Sequence, residues 1–139
     1  MKKLLIVLLA LSTGLLFACK KNKDRRSEYP NVYLNTCFNK TYTHDKVELC
    51  FNSVESDSRC PINAVCITEG AAIAKFTFKR DGKSHQLTLS TNPLNIPYAK
   101  DTAVDGYRIE FIDLHPYPYA GQPAPSPSRI VAEVAITKL

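Results

Sequence analysis

Ala72-Ile73-Ala74-Lys75-Phe76-Thr77-Phe78-Lys79-Arg80-Asp81-Gly82-Lys83-Ser84-His85-Gln86-Leu87-Thr88-Leu89 decides the fold of this 139-residue chain. Ala72, Ala74, Phe76 and Phe78 share one parity and Ile73, Lys75, Thr77 and Lys79 the other, which is the two-residue period of a strand. Asp81-Gly82 is a two-residue hairpin signal, because both central positions of a type I′ turn need positive φ. Closing the turn with Arg80 opposite Lys83 sets Phe78 against His85, Phe76 against Leu87 and Ala74 against Leu89. Ala74, Phe76, Phe78, Leu87 and Leu89 then land on one face, whereas a slip by one residue would scatter them over two.

Working outward, the hairpin is preceded by Asp57-Ser58-Arg59-Cys60-Pro61-Ile62-Asn63-Ala64-Val65-Cys66-Ile67-Thr68-Glu69-Gly70. Five residues separate Cys60 from Cys66, enough to curl back into a disulfide; Pro61 fixes one φ and Gly70 lets the chain turn into the next strand. Before that loop, Lys46 to Asn52 alternates, with Val47, Leu49 and Phe51 on one face and Glu48, Cys50 and Asn52 on the other. Val32 and Leu34 suggest a short first edge strand. After the hairpin, residues 91–106 read as a long connection through Asn92-Pro93, Ile96-Pro97 and Asp105-Gly106, with Leu94, Ile96 or Tyr98 entering the core. Tyr107, Ile109 and Phe111 mark another strand. Residues 115–128 are too rich in proline to join a sheet ladder, and Ile130, Ala132, Val134 and Ile136 face inward from a final strand. The pattern predicts an all-β fold: a small antiparallel β-sandwich, immunoglobulin-like in architecture, with disulfides.

Residues 1–18 read as a cleaved signal peptide: Lys2-Lys3, an apolar run from Leu4 to Leu16, and small Ala18 ahead of Cys19. The run is too short for a comfortable membrane span. Leu16-Phe17-Ala18-Cys19 resembles the lipobox of bacterial lipoproteins, which implies cleavage before Cys19 and lipidation there with chains such as palmitate. At about 0.8 kcal/mol per buried methylene, several chains make a stable membrane anchor. Residues 19–30 are then a lipidated cysteine and charged tether, and 31–139 a single β-sandwich domain. Lys20, where an Asp would retain such a protein in the inner membrane, implies the outer membrane of the cell envelope.

The stapled loop, with Val47-Glu48-Leu49-Cys50-Phe51 before it and Tyr107-Arg108-Ile109-Glu110-Phe111 and Pro116-Tyr117-Pro118 after it, resembles a group of small, uncharacterised bacterial lipoproteins carrying an Asp-Ser-Arg-Cys-Pro…Cys…Gly loop. The resemblance covers roughly residues 45–138 and implies a secreted, single-domain β module. Such proteins often carry a Trp shortly after the second loop cysteine; here Ile67-Thr68 stands there, and the chain has no Trp.

The net charge of +5 belongs to the leader and tether. Lys2 and Lys3 leave with the signal peptide, and Lys20, Lys21, Lys23, Arg25 and Arg26 outnumber Asp24 and Glu28. From Tyr29 onward eleven Lys and Arg balance eleven Asp and Glu, which is no footprint for nucleic acid. Cys37, Cys50, Cys60 and Cys66 form an even set in an exported chain, with three possible pairings, of which Cys60–Cys66 with Cys37–Cys50 is favoured. A zinc site from these thiols with His44 lacks any Cys-x-x-Cys knuckle, and no metal or other cofactor is expected.

No Gly-x-Ser-x-Gly elbow or recognisable carboxylate pair is present, and His44, His85 and His115 lie in unrelated contexts. No catalytic residue is assigned. His115, Tyr117 and Tyr119 sit in a stiff, proline-bounded segment where exposed tyrosines make contact area at low entropic cost, against the simpler reading that they cover the sandwich end. The expected function is a non-catalytic, lipid-anchored binding or accessory module whose partners are the membrane and an envelope protein or glycan. A periplasmic inhibitor or accessory subunit of an envelope enzyme, and a small hydrolase using His85 or His115, are the alternatives.

Overall fold

The computed structural model describes residues 31–35, 42–44, 46–94 and 96–139. Its strands are β1 (Val32–Asn35), β2 (Tyr42–His44), β3 (Val47–Asp57), β4 (Ala72–Arg80), β5 (Lys83–Ser90), β6 (Asp101–Val104), β7 (Tyr107–His115) and β8 (Val131–Lys138). They form two four-stranded antiparallel sheets, ordered β2-β3-β4-β5 and β1-β8-β7-β6. The expected hairpin register is observed: Arg80 pairs with Lys83, Phe78 with His85, Phe76 with Leu87 and Ala74 with Leu89. The likeness to an immunoglobulin domain is architectural, since each sheet here is a meander and β1 joins the second sheet beside β8.

The sheets close over Leu49, Phe51, Phe76 and Phe78 from one side and Ile109, Phe111, Val134 and Ile136 from the other, all buried in one cluster. Phe76 bridges the layers, stacked on Phe51 at 5.4 Å and meeting Phe111 edge-on at 5.3 Å. Such aromatic pairs contribute about 0.5–1.5 kcal/mol each beyond the area they bury.

β3 runs further than its alternation suggests. Register shifts after Phe51 and after Val54 mark bulges that reset which residues face inward, so the strand continues to Asp57 although the two-residue period fails after Asn52. A similar shift after Phe111 returns Leu114 to the core.

The connection 91–106 needs a correction. Its last residues form β6, paired with β7 from Asp101↔Glu110 to Val104↔Tyr107. Asp105-Gly106 is its hairpin turn, at φ 46 and 79, matching Asp81-Gly82 at φ 48 and 79. Nor do Leu94, Ile96 or Tyr98 enter the core: Leu94 and Tyr98 are exposed and Ile96 half-buried. The segment is held by polar bonds instead, with the Ser90 amide donating to Ala99 O at 2.9 Å and the Thr91 amide to Ala72 O at 3.0 Å.

The two ends of the sandwich differ. At the base lie both Asp-Gly turns, where Arg80 donates to Asp105 O and the His85 ring meets the Asp105 carboxylate at 2.9 Å. Tyr107 opposite Lys138 places the end of β8 there too. β1 starts midway along β8 and runs antiparallel to it, away from the base, from Val32↔Val134 to Asn35↔Val131. The opposite end gathers the stapled loop and the Pro-rich loop. Cys19, Cys37 and the tether lie outside the described residues.

Candidate functional site: the loop end

Cys60 and Cys66 are disulfide-bonded, and the loop they close is built around Arg59. Its side chain is buried although charged, at 5% exposure, and each side of the guanidinium is occupied. Nε and Nη2 donate to the two Asp57 oxygens at 2.9 and 2.7 Å, a bidentate pair. Nη1 donates to Asp113 Oδ1 at 2.8 Å and to Leu114 O at 2.6 Å. Nη2 also reaches Pro116 O at 3.4 Å, and the Tyr117 ring lies 4.3 Å from the guanidinium carbon. Burial opposes the charge, but the hydrogen bonds donated to Asp57 and the negative charges of Asp57 and Asp113 outweigh it and hold Arg59 above its ordinary pKa.

The neighbouring motif residues have equally local reasons. Ser58 donates its amide to Ala71 O at 2.9 Å, and its Oγ accepts from the Ala71 amide at 3.2 Å, so the two ends of the loop are tied together. Gly70 passes so close that a Cβ there would stand 1.8 Å from Ser58 O. Only glycine allows that approach. The Asp-Ser-Arg-Cys-Pro…Cys…Gly pattern is thus a recipe for one rigid loop: a carboxylate clamp, a backbone tie, a buried cation, a staple and a missing side chain.

The same cation fixes the Pro-rich loop, since Leu114 O, Pro116 O and Tyr117 belong to it or lead into it. Direct bonds between the loops complete the join. The Ile62 amide donates to Pro118 O at 3.1 Å, the Asn63 side-chain amide donates to Ala120 O at 3.3 Å, and the Ala120 amide donates to Asn63 Oδ1 at 2.7 Å.

What this frame displays is apolar. Ile62 is two-thirds exposed, and Val65 and Ile67 are fully so. Among the described residues, no amide from Val65 to Gly70 donates to another backbone group. Beside the frame lies a cleft of 610 Å³ lined by Val54, Leu114, His115, Tyr117, Tyr119 and Ile130, with several prolines and Arg129.

The three surface residues inferred from sequence all line this cleft, in different settings. Tyr119 is half-exposed, Tyr117 is turned to Arg59, and the His115 ring lies 3.3 Å from Glu133. His85 is at the other end of the molecule, against Asp105. Among the described residues neither imidazole hydrogen-bonds to a Ser, Thr or Cys side chain, and no three His, Cys, Asp or Glu side chains gather as metal ligands. Cys50, half-buried on β3, has no disulfide partner among the described residues, and its expected partner Cys37 lies outside them.

Arg59 and Asp113 were not singled out by the sequence, although Asp57-Ser58-Arg59 already brings opposite charges two residues apart. The exposed trio Ile62, Val65 and Ile67 carried a signal as well, being aliphatic residues in a loop too short to fold back on itself. No protein-family model, curated protein or solved structure matches the chain.

Proposed function

We propose that the protein is a lipid-anchored, non-catalytic binding or accessory module of the cell envelope, and that the loop end is its contact surface for another protein. One observation carries this reading: an internally bonded frame centred on buried Arg59 holds Ile62, Val65 and Ile67 in water. Scattered exposed aliphatics are ordinary, but three in one stapled loop are not. Burying them contributes roughly 5–9 kcal/mol before association costs are subtracted. A loop already fixed by a disulfide and cross-loop bonds loses little further entropy on binding.

The strip Val65-Cys66-Ile67 favours one form of this reading, that of an inhibitor or accessory subunit. Its free backbone amides and outward aliphatic side chains suit insertion into a partner's cleft as an added strand.

The test is photo-cross-linking in native envelopes, with the full-length lipidated protein carrying the reactive residue at Val65, Ile67 or Tyr119, or at Gln86 on the sheet face as control. One adduct of common mass from the three loop positions and none from Gln86 is the expected result. Adducts from all four positions alike, or from none, sink the proposal. A Cys19→Ala version reports separately what the anchor contributes.

A further inference from the structure

The balanced charge of the folded region conceals a sorting of its cations. Lys75 pairs with Glu55, Lys100 with Glu110, Arg108 with Asp101, and Arg59 with Asp57 and Asp113. Lys46, Lys79, Lys83 and, at the loop end, Arg129 have no carboxylate in ion-pair range among the described residues; the three lysines line one open hollow of 390 Å³ at the base, together with Glu48, which stands opposite Lys79 in the ladder, and Asp81. Turn geometry puts them there. Lys46 stands at φ 64 in the tight turn into β3, beside Val47, which pairs with Arg80; Lys79 and Lys83 flank Asp81-Gly82. Arg80, between them, is already engaged by Asp81, by Asp105 O and by the Tyr107 ring. The lysines are left to solvent.

β1 begins opposite Val134, midway along β8, and runs away from the base, so Asn31 marks its base-ward end. The residues leading to it carry Lys20, Lys21, Lys23, Arg25 and Arg26, and the stretch from Cys19 to Asn31 spans at most about 40 Å when fully extended. A bilayer holding Cys19 is therefore within reach of the hollow.

We propose that the base of the sandwich docks on anionic phospholipid headgroups through Lys46, Lys79 and Lys83, standing the domain upright with its loop end turned away from the bilayer. This orientation rests on the lipid anchoring proposed above, whereas the lysine cluster itself does not. With Arg80 offset by Asp81 and one lysine by Glu48, the remaining excess of two positive charges strengthens association with an anionic surface by roughly 30-fold, an effect that salt screens.

The experiment uses full-length lipidated protein with a photo-cross-linker at Ser84, at the base, or at Val65, at the loop end. Vesicles are either phosphatidylcholine alone or equal parts phosphatidylcholine and phosphatidylglycerol. Lipid adducts from Ser84 in the mixed vesicles are expected, with few from Val65. They should fall at least about tenfold in phosphatidylcholine, at raised ionic strength, or in Lys46→Gln/Lys79→Gln/Lys83→Gln. Equal adducts from Ser84 in both vesicle types, undiminished adducts in the triple variant, or more from Val65 than from Ser84 overturn the docking.

Flotation reads the anchor separately. Protein that floats with phosphatidylcholine vesicles yet gives no Ser84 adduct in the mixture is anchored and not docked. Protein that floats and cross-links only with the mixture is docked without a working anchor, and protein that floats with neither overturns both.

Discussion

Replacing Arg59 by Met removes the cation on which both loops depend while keeping a long apolar stem. Two bonds to Asp57, one to Asp113 and one to Leu114 O are lost together with the stack on Tyr117. Hydrogen bonds to charged groups contribute about 1.5–3 kcal/mol each, but these are not additive here. The side chains of Asp57 and Asp113 keep 26% and 31% exposure, so water takes over much of their solvation once the arginine is gone. Leu114 O, whose bond to Arg59 is buried, has no such recourse. Breaking a buried pair costs about 3–5 kcal/mol, and the water access of the carboxylates places this case near 3 kcal/mol. For a domain of this size that lowers Tm by roughly 10–15 °C.

Urea unfolding followed by tyrosine fluorescence reads the change directly, as the chain has seven Tyr and no Trp. Limited proteolysis adds a local readout: cleavage within residues 116–128 should rise well before the strands open, because Arg59 holds the start of that loop. Asp57→Asn combined with Arg59→Met should cost little more than the arginine change alone, since the two share one clamp. A loss below about 1 kcal/mol, with the Pro-rich loop as resistant as before, would refute the account of Arg59 as the organising cation.

Gly70→Ala should destabilise by at least about 3 kcal/mol or prevent folding, because its Cβ meets the Ser58 carbonyl; Gly82→Ala, with open space around it but φ at +79, should cost only about 1–2 kcal/mol in the same urea assay. Cys60→Ser/Cys66→Ser should lower stability by about 2 kcal/mol, the loop-closure value for so short a loop, and lower the affinity of whatever the loop end binds. Peptide mapping of exported protein without reduction should find Cys37 joined to Cys50; a freely alkylated Cys50 in such material would show that the second pair does not form.

The hairpin of β4 and β5 was legible to the residue because each constraint on it is local: an Asp-Gly turn, an unbroken alternation, and one register that keeps Phe76 and Phe78 together. β6 shares the turn, yet Asp101-Thr102-Ala103-Val104 offers no aromatic and little alternation, so its edge position beside β7 left no periodic trace. Bulges hid the far part of β3 for a related reason: one extra residue reverses the parity on which the reading relies. Arg59 was opaque on other grounds. Its partner Asp113 lies 54 residues away, and an arginine beside Cys60-Pro61 looks like any solvated loop cation until the second sheet is folded over it. Cysteine spacing, by contrast, pointed to Cys60–Cys66 because only a short loop is involved.

The pairing of β1 has a mechanical consequence. This short strand is antiparallel to β8 and starts midway along it with Asn31 on the side of the base, while the stapled and Pro-rich loops sit at the far end. A pull between those loops and Asn31 is therefore directed along the strand axis. The backbone bonds joining β1 to β8 lie across that axis, so the load reaches all of them at once, in shear, and does not peel them apart in succession. The strand that enters the fold first would thus serve as a stop against extraction, gripping hardest in the direction in which a protein anchored through Cys19, as proposed, is tugged.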